Sequence, residues 1–484
     1  MWLERANAQG EDVPTSDRAE ALRALGLIAD ATGDQLRGRA LLEESRKRFQ
    51  DLGDSHGEWK TLLDLSLHWA SRDYSEAGQY AERALAVARA SGDLVMVARS
   101  LNRLGNWQLN REAPREAIAR HREALQLLEG LGDDQGIAET LDLLGIATTL
   151  GADFKGATRW YARAVPLWRQ IGDRQGLVAS LAGYAVLAHS FHGDTVPAAL
   201  SPAEVRALGE ESLILSREIG WRAGESIALW GYRGNVLGSW GDYSTALSGA
   251  RKGLEIARDI DHPQWITGAR YVLALLYADL GDFSAASDEL RSSLGLALEI
   301  DSPYWIRCSA GRLVSTLAAG RNLSEAATVL DAYWQNTIPM DTLAGRNVWA
   351  GAADLALVTD DPNRALEIAD RLVQVAGNGA NRAIPRLELL RGQALTVLGR
   401  PGEADQALQV ASEGAVWCGA RPLLWRILAV RGRLSEAQGR AEEAKQAVAA
   451  ARALIAELAS ALPDEALRAH FLKYASGETL HRPA

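Results

Sequence analysis

Histidine and carboxylate side chains lie close together at one place in this sequence, and they are the first candidates for chemistry. His189 and His192 are three residues apart and Asp194 follows, a spacing that could place metal ligands on one helical face. A structural zinc site needs four ligands, and no cysteine or further histidine is near in sequence. We therefore predict a polar helix end here, with no metal and no cofactor. Because no HExxH, nucleophile-elbow or phosphate-loop motif occurs, we also predict that the protein is not an enzyme.

A second set of polar residues suits ligand binding better than catalysis. Residues that share one helical face by their spacing are Arg99, Asn102, Arg103, Asn106 and Asn110. Asparagine forms helices poorly, so this run needs another reason, which is either hydrogen bonding between neighbouring structural repeats or contact with a ligand. Asparagine pairs with a peptide backbone and arginine with a carboxylate, so the second alternative predicts an extended acidic peptide, with Asn235 across the groove.

Tryptophan is unusually frequent, with 15 in the chain. Trp265 and Trp305 occupy matching Asp-x-Pro-x-Trp-Ile segments about 40 residues apart, and Trp221 occupies a related position. Packing of each ring over the start of a helix would explain this pattern. An exposed aromatic ridge that anchors a partner protein is the alternative.

These residues must be positioned by a repeated structural unit. Turn-forming pairs such as Arg72-Asp73, Gly241-Asp242 and Gly281-Asp282 recur at steps of about 40 residues, with one step of about 48. Glycine or alanine recurs in register with the turns, where two antiparallel helices must approach closely. The pattern predicts an all-α, right-handed α-solenoid of tetratricopeptide-like helical hairpins.

The same register predicts how the chain is divided. We assign about eleven repeats to residues 1–459, with a longer fifth repeat that carries an insertion near 191–209. A further helix over 460–476 is expected to cover the last apolar surface of an open array, because a solenoid needs a polar cap. Residues 477–484 are expected to form a disordered tail.

Composition and charge restrict the partners. The net charge is −10, and the 52 basic residues are scattered among 62 acidic ones, which disfavours direct contact with nucleic acid. No apolar stretch approaches the length of a membrane span, and the 2 cysteines have no metal or redox spacing. We expect a cytoplasmic protein with a protein or peptide ligand, and the oligomeric state stays open.

Three segments of the sequence resemble a known family: WLERA at residues 2–6, ALLEES at residues 40–45 and LPDEALR at residues 462–468. They are similar to the two ends of the repeat array in large bacterial signal-transduction ATPases, including LuxR-type and MalT-like regulators. The resemblance implies a sensor region that follows an ATPase and controls a DNA-binding domain, a nucleotide cyclase or a kinase. This sequence has no Gly-x-x-x-x-Gly-Lys-Ser/Thr motif, so no ATPase residue is carried over.

The sequence therefore favours a non-enzymatic sensor module that binds a peptide, protein or effector. We expect this module to be the regulatory part of a larger signalling or transcription regulator, and Met1 to be the first residue of a fragment of that regulator. A free-standing scaffold that joins two proteins is the alternative.

Overall fold

The computed structural model describes residues 15–31, 34–70, 73–334, 338–376 and 383–480. Within these ranges every regular element is a helix, and none is a strand. The prediction of an all-α array of helical hairpins is confirmed. None of the described helices is both long enough and apolar enough to cross a membrane.

The chain divides into two compact units. The first comprises residues 1–147 with 299–302, and the second comprises residues 148–298 with 303–484, so the boundary falls within helix α7. The helices up to this boundary are α1 (Ser16–Ala31), α2 (Gln35–Asp51), α3 (Ser55–Trp69), α4 (Tyr74–Ser91), α5 (Leu94–Asn110), α6 (Pro114–Leu131) and α7 (Asp134–Leu150).

The second unit contains the remaining helices and one π-helical segment, Ala228–Leu237, which continues α11. Its helices are α8 (Phe154–Ile171), α9 (Arg174–Ala185), α10 (Pro202–Glu218), α11 (Arg222–Ile227), α12 (Tyr243–Asp259), α13 (Pro263–Asp279), α14 (Phe283–Glu299), α15 (Pro303–Ala319), α16 (Leu323–Tyr333), α17 (Leu343–Val358), α18 (Pro362–Ala376), α19 (Pro385–Val397), α20 (Pro401–Trp417), α21 (Arg421–Ala437), α22 (Ala441–Ser460) and α23 (Glu465–Leu480).

Adjacent stop and start residues separate the helices. Gly92 ends α4 in the left-handed conformation, with φ of 74°, which glycine adopts without steric cost. The side chain of the next residue, Asp93, accepts hydrogen bonds from the backbone N–H groups of Val95 and Met96 at the start of α5. These bonds satisfy amides that have no partner inside the helix. The Gly-Asp pairs therefore set the boundaries between hairpins.

Small residues allow the two helices of a hairpin to approach. A Cβ atom added at Gly392 would lie 2.6 Å from the Leu408 side chain of the facing helix. Ala246 and Ala286 are fully buried at the corresponding crossings. Larger side chains at these positions would separate the helices.

The second unit closes on itself, which the sequence analysis did not predict. Arg421 Nε donates to the Trp240 carbonyl oxygen at 2.8 Å, and the ring of Phe471 lies 6.0 Å from that of Tyr243. His470 Nε2 donates to the Gly281 carbonyl oxygen at 3.0 Å. The last helices therefore pack against α12, α13 and their connections rather than capping an open end.

The end of the chain also differs from the prediction. The last helix covers Glu465–Leu480 instead of 460–476, because α22 continues to Ser460 and the chain turns before Glu465. Residues 477–480, which were assigned to a disordered tail, belong to this helix. Residues 481–484 lie outside the described ranges.

Candidate ligand-binding site

Closure of the second unit creates a cavity of about 440 Å³. Its walls come from the non-helical segment 186–201 and from α13, α15, α17, α19, α21 and α23. Ala319 and Arg321 are exposed at its rim. The charged residues that line it are Arg312, Arg321, Arg386, Arg426, Arg433, Asp194, Asp279 and Asp354.

Asp194 lies at the centre of the largest charged cluster. Arg312 donates to its carboxylate through Nη1 at 3.0 Å and through Nη2 at 2.6 Å. Arg386 Nη1 donates to both Asp194 oxygens, at 3.1 and 2.9 Å. Arg386 Nη2 donates to Asp354 Oδ2 at 2.6 Å. Two guanidinium groups therefore bind one carboxylate, an arrangement typical of strong carboxylate recognition.

This cluster stays ionised because its charges compensate burial. Burial alone would raise the pKa of Asp194, but the positive charges of Arg312 and Arg386 outweigh it and hold that pKa below its usual range. Burial would lower the pKa of Arg312, and the charge of Asp194 raises it well above its usual range instead.

The backbone around Asp194 is held by arginines as well. Arg312 Nη2 donates to the Phe191 carbonyl oxygen at 2.5 Å. Arg346, which is fully buried, donates through Nε to the Thr195 carbonyl oxygen at 3.0 Å. The segment 191–195 is therefore bound through two backbone carbonyls and one carboxylate, contacts that a linear peptide could also offer.

A second largely buried ion pair at the cavity joins α13 to α21. Arg426 Nη1 donates to Asp279 Oδ1 at 2.6 Å, and the hydroxyl of Tyr243 donates to Asp279 Oδ2 at 2.6 Å. Arg426 also lies over the ring of Trp425, 4.8 Å from its centre.

His189 and Gln393 are polar cavity side chains that make no hydrogen bond within the described part of the chain. His189 is only 5% exposed, and burial lowers its pKa to about 4, so its imidazole is neutral near pH 7. A neutral imidazole and an amide can each donate one hydrogen bond and accept another. Buried polar groups normally have partners, so these two groups are suited to contact a ligand or water.

The predicted asparagine run lies on α5 of the first unit, and its members differ in environment. Asn102 is buried, and its Nδ2 donates to Thr140 Oγ1 at 2.7 Å. Its Oδ1 accepts from His121 Nδ1 at 3.0 Å, because an amide oxygen can only accept. Asn102 therefore bonds α5 to α6 and α7, which is the structural alternative that the spacing left open.

The other members of this run lie at the surface or are half-buried. Arg99 is exposed, and Asn110 Nδ2 donates to the carbonyl oxygen of Asn106 at 3.1 Å within the helix. The Nε of Arg103 is buried without a hydrogen-bond partner among the described residues, and burial lowers the pKa of this guanidinium although the charges of Asp64 and Glu139 act to raise it. Ligand binding on this face stays a prediction.

Asn235 belongs to the second unit, in the π-helical segment, whereas the α5 residues belong to the first unit. It is 4% exposed, and its Oδ1 accepts from the backbone N–H of His192 at 2.9 Å. Its role is therefore to hold the segment 186–201.

The three tryptophans of the predicted ridge are packed to different degrees. Trp305 is buried, with its ring 5.1 Å from that of Tyr304 and 5.8 Å from that of Tyr271. Trp265 is half-buried and stacks on His262, 4.0 Å away. Trp221 precedes α11, where its ring lies directly against Gly224. Trp305 thus belongs to the interior, and the other two lie against the starts of their own helices.

The histidine pair contributes to the site differently from a metal centre. His192 Nε2 hydrogen-bonds with the hydroxyl of Tyr304 at 2.5 Å, while His189 faces the cavity. Among the described residues, no three histidine, cysteine, aspartate or glutamate side chains group as metal ligands would.

The arginines that line the cavity were missed by the sequence analysis. One available signal was that Arg386 and Arg426 are about 40 residues apart, in the same register of their helices. Nothing in the sequence indicated that Asp194 and Asp279 would reach them, since these contacts depend on closure of the unit.

Comparisons with known proteins add only distant matches. No protein-family model and no curated protein sequence matches the chain. A Rap protein complexed with competence and sporulation factor is 12% identical, with 93% of this chain and 100% of that chain covered and a TM-score of 0.38. Yeast Tom70 is 11% identical, with 96% of each chain covered and a TM-score of 0.33.

A third similar structure is a Signal Transduction ATPase with Numerous Domains from Pyrococcus horikoshii that carries a tetratricopeptide repeat sensor. It is 14% identical, with a TM-score of 0.39. The match covers 79% of this chain and 52% of that protein.

Proposed function

We propose that this chain is a non-enzymatic sensor module that binds a short acidic peptide segment in the cavity of its second unit. The observation that carries the proposal is the excess of positive charge around a cavity with unpartnered polar groups. Five arginines and three aspartates line it, and the side chains of His189 and Gln393 face it without a hydrogen-bond partner among the described residues.

The volume of the cavity suits such a ligand. About 440 Å³ lies within the usual range for small-ligand sites, roughly 300–1,000 Å³. It equals the volume of roughly fifteen water molecules, at about 30 Å³ each. A segment of two or three residues fits this space, and a longer peptide would leave through the rim at Ala319 and Arg321.

A sensing role is supported by the elements that form the walls. Asp279 from α13 and Arg426 from α21 connect two helices of the second unit that are 147 residues apart in sequence. A ligand that contacts both sides binds the closed arrangement more tightly than an open one, and so shifts the equilibrium towards closure. We propose that this shift is transmitted to the effector part of a larger signalling regulator.

Fluorescence polarisation with a labelled hexaglutamate peptide tests the binding, and hexaglutamine serves as the neutral peptide. We expect hexaglutamate to bind and hexaglutamine to bind at least about tenfold more weakly, a difference of about 1.4 kcal/mol. Equal affinity for the two peptides, or no binding of either, would contradict the proposal.

A matched pair of variants locates the site. Ala319→Trp fills the rim of the cavity, and Ala437→Trp changes an exposed alanine that also ends its helix but does not line the cavity. We expect only Ala319→Trp to abolish binding. A constitutive scaffold, the alternative function, would show the same hydrogen-exchange pattern with and without the peptide.

A further inference from the structure

We propose that Arg312 and Arg386 form the carboxylate-reading element of the cavity and that Asp194 is its built-in occupant, which a ligand carboxylate replaces. This inference rests on the proposed function, because it requires that the cavity accept an acidic ligand. It adds the identity of the recognising residues and a mechanism by which binding changes the protein.

The geometry of the cluster is that of a filled binding site. Each of the two arginines contacts both oxygens of Asp194, at distances between 2.6 and 3.1 Å. Such paired guanidinium groups recognise any carboxylate of suitable position, whether it comes from this chain or from a ligand.

Asp194, the built-in occupant, belongs to a part of the second unit that does not follow the helical repeat. Asp194 lies in the non-helical segment 186–201, between α9 and α10, whereas the arginines lie on the regular helices α15 and α19. The segment reaches them from more than a hundred positions away in sequence, and Arg346 and Arg312 hold its backbone carbonyls. It therefore occupies the inner wall in the manner of a tethered peptide.

Exchange of one carboxylate for another conserves the ion pairs. Removing Asp194 alone would leave Arg312 without its carboxylate partner and Arg386 with Asp354, and this loss of charge compensation at two largely buried arginines is strongly unfavourable. An incoming carboxylate restores those contacts, so the cost of releasing Asp194 is offset within the site. His189 and Gln393, whose side chains have no hydrogen-bond partner in the described ranges, can bind the rest of the ligand.

Release of Asp194 on ligand binding would change how firmly the segment 186–201 is held, and this change is the proposed signal. The segment 186–201 would keep its backbone contacts with Arg346 and Arg312 but lose the carboxylate contacts of Asp194 with α15 and α19. We expect this segment to exchange its amide hydrogens faster when ligand is bound, whereas the closed walls exchange more slowly.

The first test uses the full chain and chemical rescue. Asp194→Ala should lower the melting temperature, and sodium acetate should restore it in a concentration-dependent way. Acetamide at the same concentration and sodium chloride at the same ionic strength should not restore it. The wild-type protein should not respond to acetate, because Asp194 already fills the site. If acetate and acetamide have the same effect on Asp194→Ala, the proposed recognition element is refuted.

The second test uses Asp194→Asn, which keeps the shape of the side chain and removes its charge. Because the internal competitor is weakened, we expect hexaglutamate to bind this variant about tenfold more tightly than the wild type, equivalent to about 1.4 kcal/mol. A merely structural Asp194 predicts unchanged or weaker binding, and that result would overturn the displacement mechanism.

The two tests separate this inference from the proposed function. If hexaglutamate binds the wild type and Ala319→Trp abolishes that binding, but Asp194→Asn gives no gain, then the cavity is the site and Asp194 is not its occupant. If acetate rescues Asp194→Ala and hexaglutamate binds neither the wild type nor Asp194→Asn, the arginine pair reads carboxylates but the proposed peptide function fails.

Discussion

The two units use buried polar residues in different ways. In the first unit, Asn102 joins α5 to the neighbouring helices α6 and α7 through Thr140 and His121. In the second unit, Asp194 and Asp279 join elements that are far apart in sequence, through Arg312, Arg386 and Arg426. Local bonds stabilise adjacent repeats, whereas contacts across a closed unit bring charges together around a cavity.

This difference shows that a series of polar residues on one helix of a repeat is weak evidence for a ligand-binding surface. A buried amide between repeats satisfies its own hydrogen bonds and leaves nothing for a ligand. Charges that meet across a cavity leave space between the helices, and some groups there, such as His189, keep an unused donor and acceptor.

The largest expected effect comes from breaking the ion pair between Asp279 of α13 and Arg426 of α21 in the second unit. Asp279→Ala would leave the Arg426 guanidinium largely buried without its carboxylate. We expect a loss of about 3–5 kcal/mol in the free energy of unfolding, measured by urea denaturation. Glu403→Ala, which removes the partner of Arg400 at the surface, should leave stability unchanged. A loss below about 1 kcal/mol for Asp279→Ala, typical of surface pairs, would show that closure does not depend on this contact.

A smaller effect is expected from the buried amide of the first unit. Asn102→Ala removes the partner of both Thr140 and His121, which should cost about 1–3 kcal/mol in the free energy of unfolding. Asn106→Ala, one helical turn further on and half-buried, should stay within about 0.5 kcal/mol of the wild type. Equal losses of unfolding free energy for the two variants would show that the buried hydrogen bonds of Asn102 do not stabilise the first unit more than the half-buried side chain of Asn106 does.

Acid should weaken both units through their buried neutral histidines. Burial lowers the pKa of His121 in the first unit to about 3 and that of His189 in the second to about 4. Both values lie below the unfolded value of about 6.5, so the unfolded chain binds more protons below that pH. Stability should therefore fall as the pH drops from about 6.5, by up to about 1.4 kcal/mol per pH unit for each histidine.

Urea denaturation at several pH values between 7 and 5 measures this slope. His121→Gln and His189→Gln should each remove the contribution of one histidine. A slope that neither variant reduces would show that these side chains are not the groups that titrate on unfolding.

The smallest effect on stability is expected from two half-buried residues of the α5 face. Arg103→Ala combined with Asn106→Ala should change the free energy of unfolding by less than about 0.5 kcal/mol, because neither side chain donates a hydrogen bond within the described part of the chain. If the cavity is the ligand site, hexaglutamate affinity should also be unchanged. A loss of about 1–3 kcal/mol in binding free energy would instead indicate that the ligand-binding site lies on the α5 face of the first unit.

The fold was largely predictable from the sequence because its signals are local. Asp93 beside Gly92 ends one helix and begins the next, and the small residues of each hairpin recur at a constant interval. Each repeat contacts mainly its neighbours, so a periodic pattern is sufficient to predict helices and hairpins.

The candidate site was not predictable in the same way, because its residues meet only through tertiary structure. The spacing put Arg99 and Asn102 on one helical face, but only the packing of α6 and α7 decided that Asn102 is buried while Arg99 is exposed. Asp194 was read as the polar end of a helix, and closure of the second unit brought it to Arg312 and Arg386. Periodicity determines which residues face inward, whereas contacts between distant repeats depend on small rotations that accumulate along the array and that no local pattern specifies.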